Sequence, residues 1–159
     1  MAYFKDFEVR WSDVDANRHL ANSAYINFMS HTRMAYFEEA GLGYKALVQN
    51  KLGPVVFYEH MYYFKEVFPG DPIRVSLEFT GMSNDGMFFE FRHDFYDGKG
   101  KNVAHCEMMG AWISLETRRL TRLNAALLGN FSSFERADNF RILTKEDTRR
   151  FKKAPKDLD

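Results

Sequence analysis

The segment running Arg10-Trp11-Ser12-Asp13-Val14-Asp15-Ala16-Asn17-Arg18-His19-Leu20-Ala21-Asn22-Ser23-Ala24-Tyr25 crowds Asp13, Asp15, Asn17, His19 and Asn22 together just before a long helical pattern. Asp and Asn favour turns and helix caps, so a loop entering a helix accounts for much of this density. The alternation of Asp13, Asp15 and Asn17 also suggests a calcium loop. That reading fails because Arg18 stands where such a loop demands glycine and Ala24 where its bidentate glutamate belongs. Zinc is served no better, with one histidine here and no ligand spacing to His31 or Cys106. What the location does offer is acyl-transfer chemistry. Free N–H groups at a helix start can hold a developing oxyanion while a carboxylate attacks or directs water, and losing one such donor costs about 10²–10³ in rate. An ordinary aspartate is ionised at neutral pH, so it can act directly as a nucleophile and as a weak general base.

Residues 22–40 have helical spacing, with Asn22 or Ser23 available as the cap and Gly41 suited to a left-handed terminus. Ala24, Tyr25, Ile26, Phe28, Met29, Met34, Ala35, Tyr36 and Phe37 cover more of this helix than one stripe, so it must be wrapped. The wrapping is supplied by strand-like runs at 2–11, 54–64, 73–82, 87–96 and 102–116, separated by turn signals such as Asn84-Asp85-Gly86 and Asp97-Gly98-Lys99-Gly100. The expected order is β-α-β-β-β-β. His31, inside the apolar helix, is expected to pack in the core, and Cys106 to be a buried, inert thiol.

A chain of 159 residues with 45% hydrophobic and 16% aromatic content is sized for one domain with a real core. Its 22 basic and 22 acidic residues cancel, which excludes a globally basic nucleic-acid binder. The balance is polarised along the chain. Residues 1–117 hold eleven basic and sixteen acidic residues, whereas 118–156 hold eleven basic and four acidic, an excess of +7. The tail is expected to form a short helix near 122–128, a loop rich in Asn and Ser, and a basic helix from about Thr144. One cysteine, no secretory pattern and no apolar run long enough to span a bilayer lead to the expectation of a soluble cytoplasmic protein.

Residues 13–25 resemble the D-x-D-x-x-G-H-V-N-N-x-x-Y run of the hotdog-fold acyl-CoA thioesterases, the 4-hydroxybenzoyl-CoA thioesterase-like family. Tyr63-Phe64-Lys65-Glu66-Val67-Phe68-Pro69-Gly70-Asp71 resembles that family's Y-x-R-P-x-x-x-G-D signature. The resemblance implies an α+β hotdog fold over residues 1–125: an antiparallel sheet of about five strands wrapped around one long central helix, with a basic C-terminal extension at 126–159. It implies that Asp15 is the catalytic nucleophile or general base, that His19 and Asn22 orient the loop and contact substrate, and that N–H groups near 22–24 polarise the thioester. It also offers Arg118, Arg119 and Arg122, which follow the last strand, as contacts for coenzyme A phosphates. The implied substrate is an aliphatic or aromatic acyl-CoA or an acyl-carrier-protein thioester. Coenzyme A enters only as part of it, with no other cofactor, metal, nucleic acid or membrane, and the protein is a homodimer or homotetramer. Arg18 in place of glycine, Ala21 in place of the first asparagine and Lys65-Glu66 in place of Arg-Pro depart from the pattern. The alternatives are a hotdog hydratase or dehydratase, whose Asp and His are separated by four residues where Asp15 and His19 are separated by three, and a non-catalytic acyl-binding protein.

Overall fold

A computed structural model describes residues 2–159. Strand β1 (Tyr3–Glu8) leads through a 3-10 turn at Trp11–Asp13 into helix α1 (Asn22–Glu39). A short helix α2 (Tyr44–Asn50) then precedes β2 (Leu52–Tyr63), β3 (Pro72–Met82), β4 (Phe88–Asp97) and β5 (Asn102–Ser114). The five strands form an antiparallel sheet in the order β1-β3-β4-β5-β2. Alternation places Ile73, Val75, Leu77 and Phe79 of β3 and Phe89, Phe91 and Phe95 of β4 on the helix side, all essentially sealed from solvent. Against them α1 buries Ala24, Tyr25, Phe28, Met29, Thr32, Arg33 and Phe37.

Two details of α1 differ from expectation. Its N-cap is Ala21, with no side-chain cap, because Asn22 is already the first helical residue. His31 is exposed rather than packed in the core, with its ring edge on Phe7 at 5.6 Å between centroids. The termination does match: Gly41, at φ +72°, follows the last turn and its N–H bonds to the Glu38 carbonyl.

Beyond the five strands, helix α3 (Ala125–Ser132) sends Leu127 and Phe131 into the same core, followed by Phe134. Phe131 meets the rings of Phe37, Phe79, Phe89 and Trp112. Where a loop was expected, β6 (Arg136–Ile142) pairs in parallel with the far end of β3. The basic segment after it is a 3-10 turn at Lys145–Arg149 rather than a regular helix. Its charges are used structurally. Buried Glu90 accepts from Arg141 at 2.6 Å and Arg150 at 3.5 Å, and Arg141 also reaches Asp147 at 2.6 Å. The tail is thereby pinned across the outer face of the sheet.

Candidate active site

Residues 12–21 form a closed loop on the end of α1. Asp13 is buried, and its carboxylate accepts from the backbone N–H of Arg10 at 2.9 Å and from the Arg10 guanidinium at 3.1 Å. The Arg10 hydrogen bond holds the Asp13 carboxyl below its ordinary value. Asp13 thus braces the turn, and its carbonyl receives the Ala21 N–H at 2.8 Å. Arg18, which stands in place of the glycine of the run that residues 13–25 resemble, adopts φ +63° and donates its N–H to the Asp15 carbonyl at 3.0 Å. The loop therefore keeps the left-handed bend without the residue that makes it inexpensive.

This folding leaves the Asp15 carboxylate at the surface of a cavity of about 400 Å³, lined by Asp15, His19, Leu20, Asn22, Tyr25, Tyr63, Phe64, Lys65 and Glu66. Its two walls come from the two sequence motifs, tied together by the Leu20 N–H donating to the Val67 carbonyl at 2.7 Å. Asp15 Oδ1 accepts the Asn17 N–H at 2.8 Å and lies 3.8 Å from His19 Nδ1. His19 Nδ1 is 3.1 Å from the Leu20 carbonyl, to which a proton on that nitrogen can be donated, and Nε2 is 4.0 Å from Glu66. Tyr25 forms an aromatic wall with Tyr63, their centroids 5.2 Å apart, and burial together with Tyr63 pushes the Tyr25 phenol up to about 12. It stays a neutral hydrogen-bond donor at physiological pH.

The helix start matters because it is uncapped. With no side chain accepting from the first turn of α1, the N–H groups of Asn22 and Ser23 have no side-chain acceptor, and Asn22 lines the cavity. Asp15, His19 and Asn22 thus converge. Arg118, Arg119 and Arg122 do not join them within one chain. They follow β5, beside the Leu52 end of β2, while Tyr63 marks the cavity end. Eleven residues of extended strand separate the two ends, about 36 Å at ~3.3 Å per residue. Arg122 is engaged elsewhere: burial would raise the Asp85 carboxyl, but hydrogen bonds from Ser83 and Met87 and the charge of Arg122 outweigh it and hold it low.

A larger cavity, about 600 Å³, lies on the outer face around Phe4, Asp6, Arg74 and Tyr96. Its arginine already binds Asp6 at 2.6 Å, and no acid, base and uncapped helix end meet there. Among the described residues, no three His, Cys, Asp or Glu side chains are grouped to hold a metal. Cys106 is fully buried, and burial pushes its thiol up to about 12, which leaves it unreactive.

A second polar group was not anticipated from the sequence. Arg33 of α1 is 93% buried, and donates to Glu59 of β2 at 3.3 Å and to Ser30 at 3.2 Å, with His93 Nε2 3.4 Å away. His93, wholly enclosed on β4, places Nδ1 2.8 Å from the Ser76 carbonyl. Burial and then the Arg33 charge push its imidazole down to about 3, so it is neutral. Arg33 reads as an outward position in a run such as Ser30-His31-Thr32-Arg33, and only the packing of α1 on the sheet shows otherwise.

A family model described as the thioesterase-like superfamily matches residues 9–131. No curated protein matches. The fold is similar to that of a DHNA-CoA thioesterase from Staphylococcus aureus, at 16% identity over 82% of this chain and 89% of that one, with a TM-score of 0.76. SAV2348 from Staphylococcus aureus, solved in complex with CoA, is 18% identical over 93% of this chain and 91% of that one, with a TM-score of 0.77. Slr0204, a 1,4-dihydroxy-2-naphthoyl-CoA thioesterase from Synechocystis, is 12% identical over 84% of this chain and 97% of that one, with a TM-score of 0.72.

Proposed function

The chain belongs to the thioesterase-like superfamily, and from that premise we propose that it hydrolyses an acyl-CoA thioester to the free acid and coenzyme A. The observation that carries this reading is the meeting of the Asp15 carboxylate, His19 and the uncapped start of α1 on one aromatic-walled cavity. The thioester carbonyl sits with its oxygen toward the first-turn N–H groups of α1. Negative charge developing on that oxygen is then met by fixed donors and the positive end of the helix. Either Asp15 attacks the carbonyl carbon and expels the coenzyme A thiolate, which takes up a proton from water, and a second water hydrolyses the resulting anhydride to the free acid and Asp15; or Asp15 takes a proton from a water that attacks the carbonyl carbon and passes it to the thiolate as the C–S bond breaks. The Asn17 N–H holds the Asp15 carboxylate in place, and His19 borders it without forming a short ion pair. The protein acts as a homo-oligomer in the cytoplasm, and its acyl group is aliphatic or aromatic. That similar folds occur in thioesterases for aromatic acyl-CoAs, and in a CoA complex, supports a CoA thioester as substrate.

The test is thiol release from a panel of acyl-CoAs by the wild type and by Asp15→Asn. Removing the carboxylate is expected to lower kcat by about 10²–10⁴-fold with KM little changed. Absence of release from every thioester, or an Asp15→Asn variant as active as the wild type, refutes the reading. Hydration of crotonyl-CoA by the wild type would place the protein with the hydratases instead.

A further inference from the structure

We propose that a cavity at the far end of α1 binds an alkylammonium cation, seating the methylated head of a choline-like molecule against three aromatic rings. The cavity encloses about 410 Å³ and is built by segments far apart in sequence: Tyr3 of β1, Tyr36 and Glu39 of α1, and Phe134 and Glu135 just after α3. Tyr36 and Glu39 share one helix face by their spacing of three. The rings form a continuous wall with Tyr36 in the middle, its centroid 5.1 Å from that of Tyr3 and 4.1 Å from that of Phe134. Phe134 is buried and the two tyrosines are half-buried. The electron-rich faces of such rings attract a cation placed over them.

Charge at the cavity has one sign. Glu39 and Glu135 are exposed at its rim, and no lysine, arginine or histidine is among the described residues that line it. Both carboxylates act on the ring wall. Burial, then Glu135 and Glu39, push the Tyr36 phenol up to about 12, and burial, the Glu39 charge and a hydrogen bond to Glu39 raise that of Tyr3. Arg136, next in the chain after Glu135, has its guanidinium over the Phe140 ring, 4.4 Å from the centroid.

The helix adds to this field. Glu39 is the last residue of α1 and Ala40 its cap, and both line the cavity, so the negative end of an 18-residue helix faces it with no basic side chain in the last turn. Ring faces, carboxylates and helix end thus set a negative potential in a space with an aromatic wall. A bare metal ion is poorly served there, since no three His, Cys, Asp or Glu side chains are grouped among the described residues. A methylated ammonium is served well, because it sheds water easily and its methyl groups pack on rings. Helix α1 puts about 26 Å, at ~1.5 Å per residue, between this end and Asn22, so the cation is held apart from the Asp15 cavity.

Calorimetric titration with choline, and with dimethylbutanol, its uncharged isostere with a tert-butyl head, tests this without reference to thioester hydrolysis. Choline is expected to bind about tenfold or more tightly than the alcohol. Glu39→Gln/Glu135→Gln, two changes at exposed positions that leave the unliganded thermal midpoint near that of the wild type, is expected to weaken choline about tenfold, and Tyr36→Leu to weaken it as well. Because Ala2 also lines the cavity, each titration is repeated on protein acetylated at its amino terminus. Binding by the acetylated form alone identifies the chain's own terminal ammonium as the cation seated in the same site, and supports the proposal. Equal affinity for choline and the alcohol, binding by neither form of the protein, or a Glu39→Gln/Glu135→Gln variant that binds as the wild type does overturns it. So does loss of choline binding in Asp15→Asn, which would put the cation in the cavity of Asp15 and Glu66 instead.

Discussion

Enclosing His93 makes a specific pH dependence of stability. Its ring is fully buried and held down to about 3 by burial and the adjacent Arg33, whereas an unfolded histidine titrates near 6.5. As pH falls below 6.5 the unfolded chain takes up a proton that the folded chain refuses, so stability is lost from there down to about 3. Between pH 7.5 and pH 5 the loss from this one residue is about 2 kcal/mol, and since pH 5 lies well above the folded value it depends on the unfolded value alone. The assay is urea unfolding of the wild type and of His93→Gln at both pH values. Glutamine can still donate to the Ser76 carbonyl but does not titrate. The wild type should lose about 2 kcal/mol more than the variant across this interval, the other four histidines cancelling in the difference. Equal losses in the two proteins would refute the claim that His93 is enclosed in its neutral form.

Two further outcomes follow from the backbone and the core. Arg18→Gly should raise stability by up to about 1 kcal/mol, seen as a higher urea midpoint at unchanged m-value, because relief of the left-handed backbone outweighs glycine's extra freedom in the unfolded chain. A lower midpoint would mean the bend carries no strain. Phe131→Ala, which empties the centre of the ring cluster, should cost about 3–5 kcal/mol in a single cooperative transition. A loss under about 1 kcal/mol would show that α3 is not part of the cooperative unit.

The alternation of Ile73, Val75, Leu77 and Phe79, the turns at 84–86 and 97–100, and the apolar girth of residues 22–40 made the sheet and its helix legible in the sequence. All three are local signals, written in periods of two or 3.6 residues. The Asp13–Asn22 loop was legible as a place where a carboxylate meets a helix start, since that too is a matter of neighbours in the chain. What the sequence left open depends on contacts between distant segments. Alanine rather than asparagine at the cap of α1 is decided by where the 12–21 loop is tied to Asp13 and Val67. The burial of Arg33 and His93 is decided by which face of α1 meets the sheet, and the use of the basic tail by the buried position of Glu90. A polar residue's solvent exposure is a property of what packs over it, and no periodicity carries that information. The separation of Arg118 from Asp15 is of the same kind. The sequence by itself determined that both kinds of group are present, but only strand register puts them at opposite ends of β2, because distance in an extended sheet grows with every paired residue.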